Sequence, residues 1–236
     1  MKKILTALFS IAVLSAAGQT ADEVIQKYSA NMGGLEAFNK ITSAKMTGNL
    51  VYQGNMNFPL VTQIVNNKAV RTEVDVMGQQ VIQVYNNGTG WKVNPFDGVT
   101  EPTEITGTEL NDYKSQASLA NNLMDYKARG NKVEFKGEEA VEGVKCFVIE
   151  LTPAGDNAVT RYFISTSDYT LIKSVRKRVM QEQEVEVETF YSDFKEINGV
   201  KFAMMSDQKI NGQPFQSVKF DKIELNVPID EAIFKM

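Results

Sequence analysis

The stretch that decides the fold is residues 43–95, SAKMTGNLVYQGNMNFPLVTQIVNNKAVRTEVDVMGQQVIQVYNNGTGWKVNP. Apolar and polar side chains alternate along most of it, and this period of two predicts strands near 43–53, 56–66, 69–77, 80–86 and 90–95. Asn and Gly residues mark the turns between the strands. Connections this short join only antiparallel neighbours, because a parallel crossover needs about a dozen residues.

The second half of the chain repeats this pattern. Roughly twelve strands with two helical interruptions indicate a mainly β protein with helices (α+β), built on one large curved antiparallel sheet that is closed or nearly so. Helices are expected against the concave face of that sheet. The further predicted strands lie near 131–137, 144–152, 158–165, 170–180, 183–192, 199–210 and 214–225.

Helical periodicity appears before the first strand and again in the middle of the chain. Thr20 and Glu23 have the spacing of a capping box, and Gly33 follows at the expected end of that helix. A shorter amphipathic piece covers 35–41. A third helix is predicted from Thr106 to Arg129 by an apolar stripe with helical spacing. The stripe consists of Leu110, Tyr113, Ala117, Ala120 and Met124, widened by Leu119, Leu123 and Tyr126.

The first eighteen residues follow the order of residue types that is typical of a signal peptide: basic, then apolar, then small. Lys2 and Lys3 precede an apolar run from Ile4 to Leu14, and small residues follow at 15–18. We expect cleavage after Gly18, which makes 1–18 the signal peptide and 19–236 a single domain that works outside the cytoplasm. A second long apolar stretch is missing and no cysteine lies near the cleavage site, so we expect neither an integral membrane protein nor a lipid-anchored one.

Composition argues against several classes of function. Without Lys2 and Lys3 the formal net charge moves from −4 to −6, which disfavours nucleic acid as a partner. The chain has no histidine and one cysteine, Cys146, so catalytic triads and the commonest metal ligand are excluded. Acidic residues such as Glu184 and Glu186 alternate along a strand, as on a solvated face. We therefore expect no enzyme, no catalytic or metal-binding residues and no cofactor.

Apolar residues recur on one face of the first two strands, and several are methionines. Each could simply belong to a core, but a large curved sheet encloses more volume than its own side chains fill, and flexible Met side chains suit a pocket for acyl chains. We count Leu119 and Leu123 of the third helix with them as candidate lipid-binding residues. The strand residues are Met46 and Leu50 in the first strand, and Met56, Phe58, Leu60 and Ile64 in the second.

Three motifs resemble the periplasmic lipoprotein carriers of Gram-negative bacteria, the LolA-like, outer-membrane lipoprotein-sorting group. They are NGTGWKVNPF at 87–96, FKEINGVKF at 194–202 and IELNVPID at 223–230, closed by Phe234. The resemblance implies an unclosed β-barrel of about 11–12 strands with helices as a lid over an apolar cavity. It also implies that Trp91 and Phe96 border this cavity and that the helix at 106–129 moves.

The chain departs from that group at one place. The best-known carriers have a basic residue, followed by Pro, at the end of the second strand, where it ties the lid shut. Here that place falls near Asn66 and Asn67, and the nearest arginine is Arg71 on the next strand. The resemblance thus leaves open how the lid is held.

Three functional hypotheses follow. The first is a monomeric periplasmic carrier for the acyl chains of lipoproteins or for another lipid, which would receive cargo from an inner-membrane donor complex and deliver it to an outer-membrane acceptor. The second is an envelope interaction module with a filled core and no lipid cargo. The third is a hydrolase using carboxylates alone, which predicts two buried acids in one cleft.

Overall fold

The computed structural model describes residues 19–155, 158–180 and 183–236, and within these ranges the chain forms thirteen strands. The predicted signal peptide, 1–18, lies outside the described residues. The strands are β1 (Ser43–Tyr52), β2 (Met56–Val65), β3 (Ala69–Val76), β4 (Gln79–Asn86), β5 (Thr89–Asn94), β6 (Val99–Glu104), β7 (Lys132–Val141), β8 (Val144–Thr152), β9 (Thr160–Ser165), β10 (Leu171–Met180), β11 (Gln183–Ile197), β12 (Val200–Ile210) and β13 (Gln213–Leu225).

All strands belong to one antiparallel sheet in the order β6-β5-β4-β3-β2-β1-β13-β12-β11-β10-β9-β8-β7. Two meanders, β1 to β6 and β7 to β13, are therefore joined where the first strand pairs with the last. Met46 lies opposite Ile223 in that central pair. Strands β6 and β7 form the two edges, so the sheet is not closed into a barrel. The predicted fold class is confirmed.

Turn chemistry fixes the register of the hairpins. Asn87 and Gly88, between β4 and β5, both have positive φ values, 51° and 99°. Asn and Gly tolerate this left-handed backbone, which two-residue hairpins require. The same pair of residue types recurs at Asn211 and Gly212 between β12 and β13. These local signals explain why the sequence pattern located the hairpins correctly.

Three helices pack on one face of the sheet. Helix α1 (Ala21–Asn31) begins with the predicted capping box, in which the Thr20 hydroxyl accepts from the Glu23 amide. Helices α2 (Leu35–Lys40) and α3 (Gly107–Gln116) are shorter. We call α3 together with the turns that follow it, residues 107–130, the lid. Among the described residues, no helix has both the length and the apolar character that crossing a membrane would require.

The pairing register shows which side chains face these helices. Residues directly opposite each other on antiparallel strands share a face. Ala44, Ile64, Val70 and Tyr85 are successive partners from β1 to β4, and all four pack in one buried cluster with the helices. Strands β8, β9, β12 and β13 contribute to the same cluster, so the sheet wraps around the helices, and this face is the concave one.

The third helix is shorter than predicted. Its apolar stripe continues to Met124, but α3 ends at Gln116 because nearby backbone groups bond elsewhere. The Ala117 carbonyl accepts from the Asn67 amide at 2.8 Å, and the Leu119 amide donates to the Asn66 side chain at 3.0 Å. The lid therefore continues as turns, with its apolar residues still directed at the sheet.

Residues 99–104 form an edge strand, although Pro102 and its neighbours predict a loop. Proline is compatible with an edge strand, where one side of the backbone has no ladder partner to bond. The 3₁₀ turn at Pro95–Asp97 precedes β6, and a second 3₁₀ turn, Glu231–Phe234, follows β13.

Candidate functional site

The covered part of the concave face is apolar throughout its centre. Val24, Ile25 and Tyr28 of α1 pack there against strand residues, and the lid adds its own apolar side chains. The contributing lid residues are Leu110, Tyr113, Ala117, Leu119, Ala120, Leu123, Met124 and Tyr126. Side chains of α1 and the lid thus occupy the space between the two halves of the sheet, β1–β6 and β7–β13, which we call its two walls. An acyl chain could enter only by displacing them.

Four of the predicted lipid-binding residues lie in this covered region. Met46 and Ile64 project from β1 and β2 and are 8% and 5% exposed. Leu123 is fully buried, and Leu119 packs on the same cluster as a half-buried residue. The structure brings these four together from three distant parts of the chain, as the apolar stripes predict, while their role in lipid binding remains a prediction.

The concave face continues beyond the helices as a second apolar cluster, which we call the open end. Leu50, Met56, Phe58 and Leu60, all predicted site residues, belong to it. Phe220 of β13 packs on both the covered cluster and the open end, so the apolar surface is continuous. The open end consists of strand residues only: Leu50, Tyr52, Met56, Phe58, Leu60, Val74, Val76, Val81, Val218 and Phe220.

The two remaining predicted residues are placed elsewhere. Trp91 pairs with Val84 on the convex face, where its indole Nε1 donates to the Phe234 carbonyl at 3.2 Å. The Arg71 guanidinium lies 5.5 Å from its ring centre. The expectation that Trp91 borders the concave cavity is thus corrected: it anchors the C-terminal 3₁₀ turn. Phe96 is 57% exposed and belongs to none of the buried clusters formed by the described residues.

Asn66, at the end of β2, ties the lid to α2. Its amide nitrogen donates to the carbonyls of Phe38 and Ile41 at 3.0 and 2.8 Å, and its amide oxygen accepts from Leu119 at 3.0 Å. A neutral side chain that donates and accepts at once therefore stands at the place where the resemblance implies a basic residue, and it joins the lid to α2.

Ion pairs hold α3 against both walls of the sheet. Lys92 of β5 contacts the Glu109 carboxylate at 2.8 and 2.9 Å. On the other wall, Arg176 donates to Asp112, and Arg178 lies 3.0 Å from the same carboxylate. We call these ion pairs of α3 with the two walls the clasp; they were not predicted from the sequence. The signal was the basic run at 173–178, whose alternation indicates that its arginines share one face and its lysines the other.

A third set of contacts joins the lid to α1. The Asn121 amide donates to the Tyr28 hydroxyl at 2.6 Å, and Lys127 contacts Asp22 at 2.7 Å. Hydrogen bonds from Lys127 and then from Tyr126 lower the pKa of Asp22 below its ordinary value. Burial raises the pKa of Tyr28 well above its ordinary value. Polar contacts on three sides thus surround the apolar contacts of the lid.

Gly90 sets how closely α3 approaches the sheet. A Cβ added at this position would lie 2.8 Å from Leu110 Cδ1 and 2.9 Å from the Val84 carbonyl oxygen. Only glycine leaves this space on the concave side of β5, so it is needed for packing. The sequence marked Gly90 only as part of a motif.

The concave face is apolar, and three acidic side chains of low exposure in the sheet and the lid are each paired with a cation. The side chains of Asp112, Glu188 and Asp125 are 15–18% exposed, and each contacts a cation instead of a second acid. These three residues therefore do not form the pair of acids that the hydrolase hypothesis predicts. Within the described part of the chain, no group of three or more potential ligand side chains could hold a metal ion.

An unclosed antiparallel sheet wrapped around helices is the architecture shared with known structures. A LolA superfamily protein from Nitrosomonas europaea aligns with a TM-score of 0.60 at 12% identity, over 92% of this chain and 98% of the other. A DUF1329 family protein from Desulfovibrio piger gives 0.61 at 12%, over 91% and 97%. An outer membrane lipoprotein-sorting protein domain from Vibrio parahaemolyticus gives 0.60 at 11%, over 91% and 97%.

These similarities establish that this chain shares the fold of the three solved structures. At such low identity they establish the fold alone. No family profile matches the sequence, and no curated protein does.

Proposed function

We propose that this protein binds lipid chains reversibly on the concave face of its sheet and carries them between membranes. The observation that supports it is the continuous apolar surface running from beneath the lid, through Phe220, to the open end. Buried apolar area contributes about 25 cal/mol per Å², so an acyl chain that replaces the lid on this surface can offset the lost packing.

Lid opening is the step that makes room for cargo. The contacts of Asn66, Glu109, Asp112 and Asn121 surround the lid and can exchange for bonds to water. The net cost is about 1 kcal/mol for each neutral bond and about 1.5–3 kcal/mol for each bond to a charged group. The apolar contacts beneath it are not directional, so acyl chains of varied shape can substitute for Leu123 and its neighbours. In the closed state, the side chains of the lid fill the covered part of the concave face. Opening of the lid would therefore expose this apolar surface to an acyl chain.

The periplasm is the compartment we propose. The pattern at 1–18 is typical of a cleavable export signal, and the similar structures include an outer membrane lipoprotein-sorting domain. Acyl chains of lipoproteins or of another lipid are the proposed cargo, with a donor at the inner membrane and an acceptor at the outer membrane. A single copy of the chain forms the binding face, so we propose a monomer.

Replacement of Leu50 by Asp tests the proposal. Leu50 faces the open end and is half-buried, so a carboxylate there should weaken binding of a fluorescent fatty acid by about tenfold or more, because a charge is costly against an acyl chain. Val51→Asp is the matched control, since Val51 is also half-buried and faces the convex side of the same strand. Circular dichroism should show both variants folded.

A second candidate, an envelope interaction module without cargo, draws on the filled interior of the closed state. The two candidates differ in native mass spectrometry of protein purified from a bacterial periplasm. Co-purified lipid supports carriage. Protein that is consistently free of lipid, and that also fails to bind the fluorescent fatty acid, would leave the interaction module as the better explanation.

A further inference from the structure

A polar cleft of about 370 Å³ opens beside the lid, at the end of β8, the start of β9 and the middle of β10. Three basic side chains line it: Lys114 from α3, Arg129 from the end of the lid, and Arg176 from β10. Asn111, Asn122 and Asn131 line the same cleft. Among the described residues that line the cleft, none is acidic.

The charge of this cleft contrasts with that of the chain, which has a formal net charge of −4. Two carboxylates outside the lining of the cleft pair with its arginines: Asp112 contacts Arg176, and Asp125 contacts Arg129. Lys114 adds a further positive charge on the exposed side of the cleft. Guanidinium, ammonium and amide groups converging on one space are the donors that bind phosphate oxygens in proteins.

The cleft adjoins the apolar interior directly. Leu151 of β8 is 1% exposed, belongs to the cluster beneath the lid, and also lines the cleft. A molecule with an acyl chain under the lid would therefore reach the cleft with its polar end. The two surfaces together match an amphiphile that carries a negative charge next to its chain.

We infer that this cleft binds the phosphate group of a lipid whose acyl chain occupies the concave face. The inference rests on the proposed function and narrows its cargo to phosphate-bearing lipids. Lys114 contributes charge at the mouth of the cleft, and Arg129 and Arg176 form its inner wall, where the pairing carboxylates fix their orientation.

The experiment compares lysophosphatidic acid with the monoacylglycerol of the same chain length, each below its critical micelle concentration. The two ligands differ by the phosphate alone, and wild-type protein should bind the first about tenfold more tightly at low salt. Raising the ionic strength should reduce that preference. Lys114→Glu should reduce it to about threefold or less while leaving monoacylglycerol affinity unchanged.

Lys40→Glu is the matched control, because Lys40 is likewise an exposed lysine in the last turn of a helix. It should keep the wild-type preference. Equal affinity for both ligands in the wild type, or equal effects of the two variants, would overturn the phosphate site and leave lipid carriage standing.

Two further outcomes distinguish a site for free phosphate from one for a lipid phosphate, and failure of the phosphate site from failure of lipid binding. If inorganic phosphate at micromolar concentration displaces the lipid from wild-type protein, the cleft is a site for the free anion and the lipid assignment fails. If neither lipid binds, both the proposed function and the phosphate site fail together.

Discussion

At the scale of single residues, Asn66 shows how one side chain can join three parts of a fold. Its two amide hydrogens and its oxygen serve α2 and the lid at once. Asn66→Asp keeps the shape and the bond from Leu119 but turns the donor into a charged acceptor facing two carbonyls. We expect the free energy of unfolding to fall by about 1–3 kcal/mol and fatty-acid association to accelerate, because the lid is held less firmly.

The control for this prediction is the next residue. Asn67→Asp introduces the same charge at an exposed position, where the tie to Ala117 comes from the backbone amide and is retained. Asp also tolerates the φ of 61° at this position. Urea unfolding and stopped-flow fluorescence should separate the two variants. Identical behaviour would show that the amide of Asn66 does not hold the lid.

At the scale of elements, α3 is attached to the sheet by charge as well as by packing. Asp112→Asn removes the carboxylate that faces Arg176 and Arg178, and both arginines then remain close together on one wall. We expect the free energy of unfolding to fall by about 1.5–3 kcal/mol, the range for hydrogen bonds to charged groups. Amide hydrogen exchange in α3 should become faster. Glu184→Gln is the control, because its pair with Lys177 is exposed and worth little. If amide hydrogen exchange in α3 is unchanged in Asp112→Asn, the ion pairs of Asp112 do not hold this helix on the sheet.

At the scale of the whole molecule, buried tyrosines make stability sensitive to alkaline pH. Burial raises the pKa of Tyr28, Tyr162 and Tyr191 above the ordinary value of 10.0. Below that pH both states keep the phenols protonated; above it the unfolded chain ionises first. The free energy of unfolding should therefore fall as pH rises beyond about 10, by about 1.4 kcal/mol per pH unit for each such tyrosine.

Urea unfolding between pH 7 and 11, followed by tyrosinate absorbance, measures this slope. Tyr162→Phe removes one ionisable phenol from the interior and should make the decline shallower by about one tyrosine's share. A variant whose slope equals that of the wild type would show that Tyr162 ionises as easily in the folded protein as in the unfolded chain.

Local signals predicted the parts of the fold that local chemistry controls. The Asn87-Gly88 turn, the capping box at Thr20 and Glu23, and the alternation in β1 and β2 each specify their own conformation. The prediction that the third helix reaches Arg129 was wrong. The Leu119 amide donates to the side chain of Asn66, more than fifty residues earlier in the chain, and not to a helical carbonyl. A stripe of apolar residues cannot reveal a competing partner so distant in the chain.

The candidate site was predictable to the same extent. Met46 and Ile64 share the covered face, and Leu50, Met56, Phe58 and Leu60 the open end, because period-two spacing places them there. Leu119 and Leu123 also reach the covered face, but from the turns after α3 and not from the predicted helix. Trp91 was misplaced because β3 to β5 carry apolar residues on both faces, and the C-terminal segment covers the convex one. Alternation specifies that two faces exist and not which of them is concave.

The sequence by itself therefore determined every described strand except β6, the antiparallel order of these strands within each meander and the apolar faces, since these depend on side chains near one another in the chain. Only the tertiary structure decided which face the helices cover, where the lid stops being helical, and how Arg176, Arg178 and Asp112 meet. Those features depend on the pairing of β1 with β13 and on contacts across the concave face. Such pairings join residues that no local pattern relates.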